Sequence, residues 1–103
     1  MGTIGYIAPE RIRGRPAGPA SDVYSVGAIL YECLTRQIPY ETESRVITIP
    51  TSYDQLVPPR DLVPGIPEEL EDVCMKALAI SPNNRFPTAA RFREALEQCI
   101  AKL

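Results

Sequence analysis

Ser21-Asp22-Val23-Tyr24-Ser25-Val26-Gly27-Ala28-Ile29-Leu30-Tyr31-Glu32-Cys33-Leu34 carries the strongest structural signal in the chain. Ser21 can cap a helix N-terminus, and Asp22 suits the positive end of the helix dipole. Apart from Gly27, neither Gly nor Pro interrupts the run before Pro39, so the sequence predicts a helix over 22–35. Between Val23 and Leu34 it is apolar nearly all round, with Val26, Ile29, Leu30 and Cys33 joined by Tyr24, Ala28 and Tyr31. A helix of that kind offers water no face and belongs in the middle of something larger.

Outward from this helix the pattern changes. Residues 1–20 are punctuated by Gly2, Gly5, Pro9, Gly14, Pro16, Gly18 and Pro19 and read as irregular. Residues 36–67 hold six of the eleven prolines and no sustained period, which predicts mostly loop. Within it, Arg45–Ile49 suits a short strand or a helical turn equally. A second helix is predicted over 67–79, with Pro67 at its first position and Glu68, Glu69, Glu71 and Asp72 near its N-terminus. Leu70, Val73, Cys74, Ala77 and Leu78 give it one buried face. Ser81-Pro82-Asn83-Asn84 reads as a turn. A third helix over 88–103, capped by Thr88, aligns Ala89, Phe92, Leu96, Cys99, Ile100 and Leu103, with Arg93 and Glu97 paired across one turn. The expected fold is mainly α: three main helices, 22–35, 67–79 and 88–103, joined by long loops.

At 103 residues the chain suits one domain, and 45% hydrophobic with 23% charged residues is a globular composition. Net charge is −2 from 11 basic and 13 acidic residues spread along the chain. Neither a nucleic-acid footprint nor a polybasic membrane patch is expected from that balance. Arg11, Arg13 and Arg15 cluster in a Gly/Pro stretch and read as a solvated loop. The absence of histidine removes imidazole acid–base chemistry, Ser–His and Cys–His nucleophiles and His-based zinc sites. Cys33, Cys74 and Cys99 are odd in number and widely spaced, so they read as small buried hydrophobes rather than disulfide or metal partners. The chain shows no signal-peptide pattern and no apolar run near the roughly 20 residues that span a bilayer. A reducing, cytoplasmic setting is expected.

Four motifs take the reading further. Gly2-Thr3-Ile4-Gly5-Tyr6-Ile7-Ala8-Pro9-Glu10 resembles the segment that closes the activation loop of protein kinases. Twelve residues after Glu10, Asp22-Val23-Tyr24-Ser25-Val26-Gly27 is similar to that family's Asp-x-Trp-Ser-x-Gly helix, with Tyr24 in place of Trp. Pro39-Tyr40 follows where the family has Pro-Phe or Pro-Tyr, and Ser81-Pro82-Asn83-Asn84-Arg85 is similar to its Asp-Pro-x-x-Arg turn, with Ser81 in place of Asp. Order and separation agree over essentially the whole chain. The style resembles bacterial serine/threonine kinases rather than tyrosine kinases. The resemblance implies that Thr3 helps position a catalytic aspartate and that Thr3, Ile4, Gly5 and Tyr6 belong to the loop that receives the substrate. It also implies that Glu10 pairs with Arg85, and that Asp22 accepts hydrogen bonds from the catalytic-loop backbone. Glu43–Leu62 departs from the family pattern.

The rest of a kinase is not found in these residues. Phosphoryl transfer needs a glycine-rich loop over the phosphates, a lysine upon them, metal-binding Asp and Asn, and a catalytic Asp. The chain has no Gly-x-Gly-x-x-Gly and no Asp-Phe-Gly, and its only lysines are Lys76 and Lys102. Arg60-Asp61-Leu62 mimics part of a catalytic loop, but it follows the activation segment instead of preceding it and reads as a decoy. The expectation is therefore a partial protein kinase domain over 1–103, Met1 being an internal residue of a longer chain. ATP and magnesium would bind only in a complete parent that phosphorylates protein Ser or Thr, with no cofactor, metal or catalytic residue in this chain. Partners would be a protein substrate or the remaining kinase segments, and helix 22–35 would expose apolar surface and self-associate. The alternative is a stand-alone, non-catalytic helical module that binds a partner, or a kinase remnant.

Overall fold

The computed structural model describes residues 4–41 and 55–103. Five α-helices occur in them: α1 (Pro9–Ile12), α2 (Pro19–Thr35), α3 (Pro59–Leu62), α4 (Glu68–Ala77) and α5 (Ala89–Ala101). Tight 3-10 turns precede α1 (Ile4–Tyr6) and α5 (Pro82–Asn84), and the described residues include no strand. The mainly α fold is thus as the sequence predicts, but α1 and α3 interrupt stretches expected to be irregular. Both are single turns opened by a proline, whose fixed φ is ready-made for a helix start. Arg45–Ile49, and most of the atypical segment Glu43–Leu62, lie outside the described residues.

α2 begins one turn earlier than predicted. Pro19 takes the first helical position and Gly18 the N-cap, so Ser21 lies inside the helix rather than capping it. Its hydroxyl still accepts the Gly18 N–H, at 3.4 Å. At the other end Arg36 turns into the left-handed region (φ 63°), and its N–H closes on the Glu32 carbonyl at 2.7 Å. The Thr35 hydroxyl donates to the Tyr31 carbonyl and accepts from the Gln37 N–H. α4 is shorter than the predicted 67–79, with Pro67 as its N-cap. α5 is shorter than 88–103, and Thr88 caps it as expected, its hydroxyl accepting from the Arg91 N–H at 3.2 Å.

α2 is the axis on which α3, α4 and α5 pack. One core gathers Ala8, Tyr24, Ala28, Tyr31, Tyr40, Leu56, Cys74 and Leu78; the other gathers Val23, Ala77, Phe86 and Phe92. Phe86 and Phe92 stack with ring centroids 5.3 Å apart, and the Lys76 ammonium sits 4.6 Å from the Phe86 centroid. The Tyr31 hydroxyl donates to the Val57 carbonyl at 2.7 Å, and the Glu71 carboxylate accepts the Arg60 N–H at 2.8 Å, fastening α3 and the residues just before it to α2 and α4.

Two expectations about burial are corrected. α2 is not buried all round: Asp22, Val26, Ile29 and Cys33 are exposed, Val26 at 48% and Ile29 at 51%. Their spacing of four, three and four residues places them on one stripe, opposite the faces that enter the two cores. Cys33 is therefore a surface thiol, while Cys74 and Cys99 are buried. On α5, Phe92 and Cys99 are buried, but Ala89 and Ile100, with Leu103 beyond the helix end, are exposed.

α2 and α4 approach closely at Gly27, where an added Cβ would stand 2.7 Å from the Ala77 Cβ. The Cys74 thiol also faces the Gly27 carbonyl there, at 3.8 Å. Burial pushes the Cys74 thiol up to about 12, which suits an inert packing group. Gly27→Ala would gain up to about 1 kcal/mol of helix propensity, yet the overpacking is expected to make the net change destabilising by roughly 1–2 kcal/mol. Urea unfolding of the two proteins checks this, and a more stable alanine variant would contradict the close approach.

Candidate functional site

Glu10 is the second residue of α1, placed there by Pro9, and both residues are buried. Arg85 follows the 3-10 turn Pro82–Asn84 and is 3% exposed. Their side chains meet as a fork on a fork: Nη1 to Oε2 and Nη2 to Oε1, each at 2.8 Å. The remaining guanidinium N–H groups donate to the Ala79, Ala20 and Ile80 carbonyls at 2.7, 3.0 and 3.1 Å. The guanidinium carbon also lies 4.9 Å from the Tyr24 ring centroid. The Ser21 hydroxyl donates to Glu10 Oε2 at 2.7 Å, a partner the sequence reading did not foresee.

The carboxylate environment fixes its protonation. Burial pushes the Glu10 carboxyl up, but the hydrogen bonds from Arg85 and Ser21 outweigh it and hold the group at about 2. The folded value lies below the ordinary one, so the corresponding stability is fully present above about pH 4.5 and drains away as pH falls toward 2.

The other expected site residues fall differently. Thr3 lies outside the described residues. Ile4, Gly5 and Tyr6 form the 3-10 turn just before α1, with Gly5 buried and Tyr6 half-buried. Asp22 stands on the first turn of α2, exposed, beside a recess of about 370 Å3 bordered by Ala17, Gly18, Pro19 and Ala89. The structure thus brings Glu10 and Arg85 together and leaves Asp22 facing outward.

One residue of this region went unnoticed in the sequence. Glu32 on α2 accepts a hydrogen bond from the Tyr6 hydroxyl, 26 positions away. The signal was there: Glu32 is the single charged residue between Val23 and Leu34, and a lone carboxylate in an apolar helix needs a partner. That hydrogen bond is the leading reason the Tyr6 phenol is raised above its ordinary 10, followed by burial and the nearby Glu32 and Glu41 charges.

Arg60-Asp61-Leu62 has a structural part. Arg60 and Asp61 are exposed on α3, and Arg60 lies 3.9 Å from the Glu68 carboxylate. Among the described residues no group of three or more Cys, Asp or Glu is arranged to hold a metal ion. No described helix is long and apolar enough to cross a membrane.

Glu10→Gln is expected to leave the Arg85 charge buried and to cost about 3–5 kcal/mol. Acid unfolding followed by circular dichroism should show wild type losing stability below pH 4.5 and the variant losing less over the same interval. Equal acid sensitivity in both would contradict the role given to this carboxylate.

The geometry has counterparts in known proteins. The protein kinase domain family matches residues 1–98. Tyrosine-protein kinase MasK of Myxococcus xanthus is 39% identical over 98 residues, covering 94% of this chain and 15% of that protein. Serine/threonine-protein kinase PknB of Mycobacterium tuberculosis is 39% identical over 97 residues, covering 93% of this chain and 16% of that one. For serine/threonine-protein kinase PknD of Chlamydia abortus the figures are 37% over 101 residues, 95% and 10%. Among solved structures, the twitchin kinase region of C. elegans superposes with a TM-score of 0.70 at 29% identity, over 90% of this chain and 16% of its own. The chain therefore spans a sixth or less of these relatives, and matches them with nearly all of its own length. A family match over residues 1–98, with Glu10 and Arg85 paired across the fold, leads to one conclusion: the chain belongs to the protein kinase family.

Proposed function

We propose that this chain is the later half of the C-lobe of a serine/threonine protein kinase. In the complete parent, a phosphoryl group passes from ATP to Ser or Thr hydroxyls on proteins; the chain alone transfers none. Thr3 supports the catalytic aspartate of the preceding segment, and Thr3, Ile4, Gly5 and Tyr6 receive the substrate residue that follows the phosphorylated one. Asp22 accepts backbone N–H bonds from the catalytic loop. Glu10 and Arg85 hold the receiving loop to the helical body.

The observation that carries this reading is the exposed stripe of α2. A helix that feeds two cores would not spend its outward face on Asp22, Val26, Ile29 and Cys33 unless something covered it. A carboxylate at one end and aliphatic groups behind it suit a segment that offers backbone N–H groups and an apolar helix.

The residues present do not fit ATP or magnesium. Lys76 lies over the Phe86 ring and Lys102 pairs with Glu69 at 3.0 Å, so neither lysine is placed for a phosphate. Both ligands belong to the complementary part of the domain. The three free thiols agree with a reducing cytoplasm.

A second reading, a non-catalytic binding module, draws on the closure of the Arg85 network and both cores within the chain itself. One experiment separates the two. The chain is mixed with the part of the M. tuberculosis PknB kinase domain that precedes its own Gly-Thr motif, and phosphate transfer from radiolabelled ATP to Ser, Thr and Tyr peptides is measured. Transfer to Ser and Thr peptides only when both parts are present is expected, with the chain self-associating in their absence. No association with the kinase part, together with a sharply melting monomer, would favour the module instead.

A further inference from the structure

We propose that Arg11, Arg13 and Arg15 form a docking patch for an acidic stretch of the protein substrate. The identity of the partner rests on the kinase reading above; the chemistry of the patch rests on the chain alone.

In sequence these arginines read as a solvated loop, but their backbone is a fixed one. α1 ends in a paired hydrogen-bond motif with Gly14 in the left-handed region (φ 83°). The Gly14 N–H returns to the Arg11 carbonyl at 3.0 Å, and the Arg15 N–H reaches back to the Glu10 carbonyl at 2.9 Å. The Arg13 N–H closes on the Pro9 carbonyl at 3.2 Å, and Pro16 restricts the backbone that follows. The loop therefore coils back onto Glu10, whose carboxylate is pinned to Arg85 by two bonds of 2.8 Å. All three arginines are exposed, so charged side chains in water are carried on backbone that has little freedom left to lose on binding.

The charge around them is one-sided. Glu10 is the single carboxylate between Ile4 and Ser21, and it is buried against Arg85 and Ser21. Among the described residues no carboxylate pairs with Arg11 or Arg15. The later basic residues are different. Arg60, Arg91, Arg93 and Lys102 each stand within 4 Å of a glutamate, and Lys76 lies over the Phe86 ring. Like charges on one short loop repel, and an anionic partner relieves that repulsion. Guanidinium forks match carboxylates in particular. A protein segment suits the patch better than a nucleic acid does, because the whole chain is negative, at −2, and repels a long polyanion.

The patch is also close to the turn that receives the substrate. Tyr6 precedes Arg11 by five positions, a reach of at most about 17 Å along the chain. A peptide seated on Ile4–Tyr6 needs only a few further residues to lay carboxylates on the arginines.

Binding and turnover test this separately. A fluorescein-labelled serine peptide with a glutamate-rich tail is titrated into the isolated chain, beside its glutamine-tailed analogue and a single-stranded oligonucleotide. The glutamate tail should bind about tenfold tighter than the glutamine tail, as three exposed ion pairs together supply, and high salt should erase the difference. Arg11→Gln/Arg13→Gln/Arg15→Gln should erase it at low salt too, with unchanged helix content. Arg11→Glu/Arg15→Glu should instead prefer a lysine-tailed peptide, a gain that misfolding cannot mimic. In the complex reconstituted with the kinase part, the triple variant should raise KM for the glutamate-tailed peptide about tenfold. Its kcat, its KM for ATP and its turnover of the glutamine-tailed peptide should stay unchanged.

Equal binding of the two tails to the wild type would overturn the proposal, and so would a preference that survives the triple substitution. Tighter binding of the oligonucleotide than of the glutamate tail would overturn it in favour of a nucleic-acid contact. A reconstituted wild type without activity would sink the kinase reading instead, and the titrations of the isolated chain would still decide whether the arginines select carboxylates.

Discussion

A guanidinium has five N–H groups in a rigid plane, and a buried one must find five acceptors or destabilise the protein that contains it. Arg85 finds all five: two on the Glu10 carboxylate and one each on the carbonyls of Ala20, Ala79 and Ile80. Those acceptors come from α1, from the start of α2, and from the chain leaving α4. Shifting any one of these elements would orphan a donor in the interior, so the requirement of one side chain fixes their mutual placement. Tyr24 closes the network from below with its ring face, and its own phenol is raised far above the ordinary range because burial opposes ionisation. The α1 segment, the central helix and the turn after α4 are thereby locked to one another by a plane of nitrogen atoms.

Apolar packing supplies what this lock cannot. The two cores lie on different faces of α2, one shared with Cys74 and Leu78 of the α4 region and the other with Phe86 and Phe92 ahead of and within α5. Gly27 lets α4 come close enough for both to close. With these faces committed, the outward one remains as the stripe of Asp22, Val26, Ile29 and Cys33. Fold and proposed function meet in this helix: its inward faces make the chain a folded unit, and its outward face is the one that the proposed function gives to the rest of a kinase domain.

Much of this was legible in residue pattern. Thr88 and its hydroxyl cap, the Arg93–Glu97 pair at 3.5 Å, and the apolar run of α2 follow from local rules that act over four residues or fewer. The motif register placed Glu10 opposite Arg85 across 75 positions, which no local rule could do. Where the reading fell short, the missing information was three-dimensional. That α2 keeps one face uncovered depends on which neighbours are present, a property that hydropathy along the chain does not carry. Ser21 looked like a cap because its identity fits one, but Pro19 offered an earlier start and freed the hydroxyl for Glu10. Glu32 and Tyr6 were each visible as residues, yet nothing in either neighbourhood names the other.

The long reach of the Arg85 network has a consequence for biosynthesis. A ribosome adding about 5–20 residues per second takes roughly 4–15 s to travel from Glu10 to Arg85, because 75 positions separate them. Throughout that interval the carboxylate has been made without its counter-ion, and for most of it α2 exists without α4 to lie against. The partners of α1 and α2 are thus made well after those helices, and closure of this part of the fold must wait at least until Arg85 has been translated.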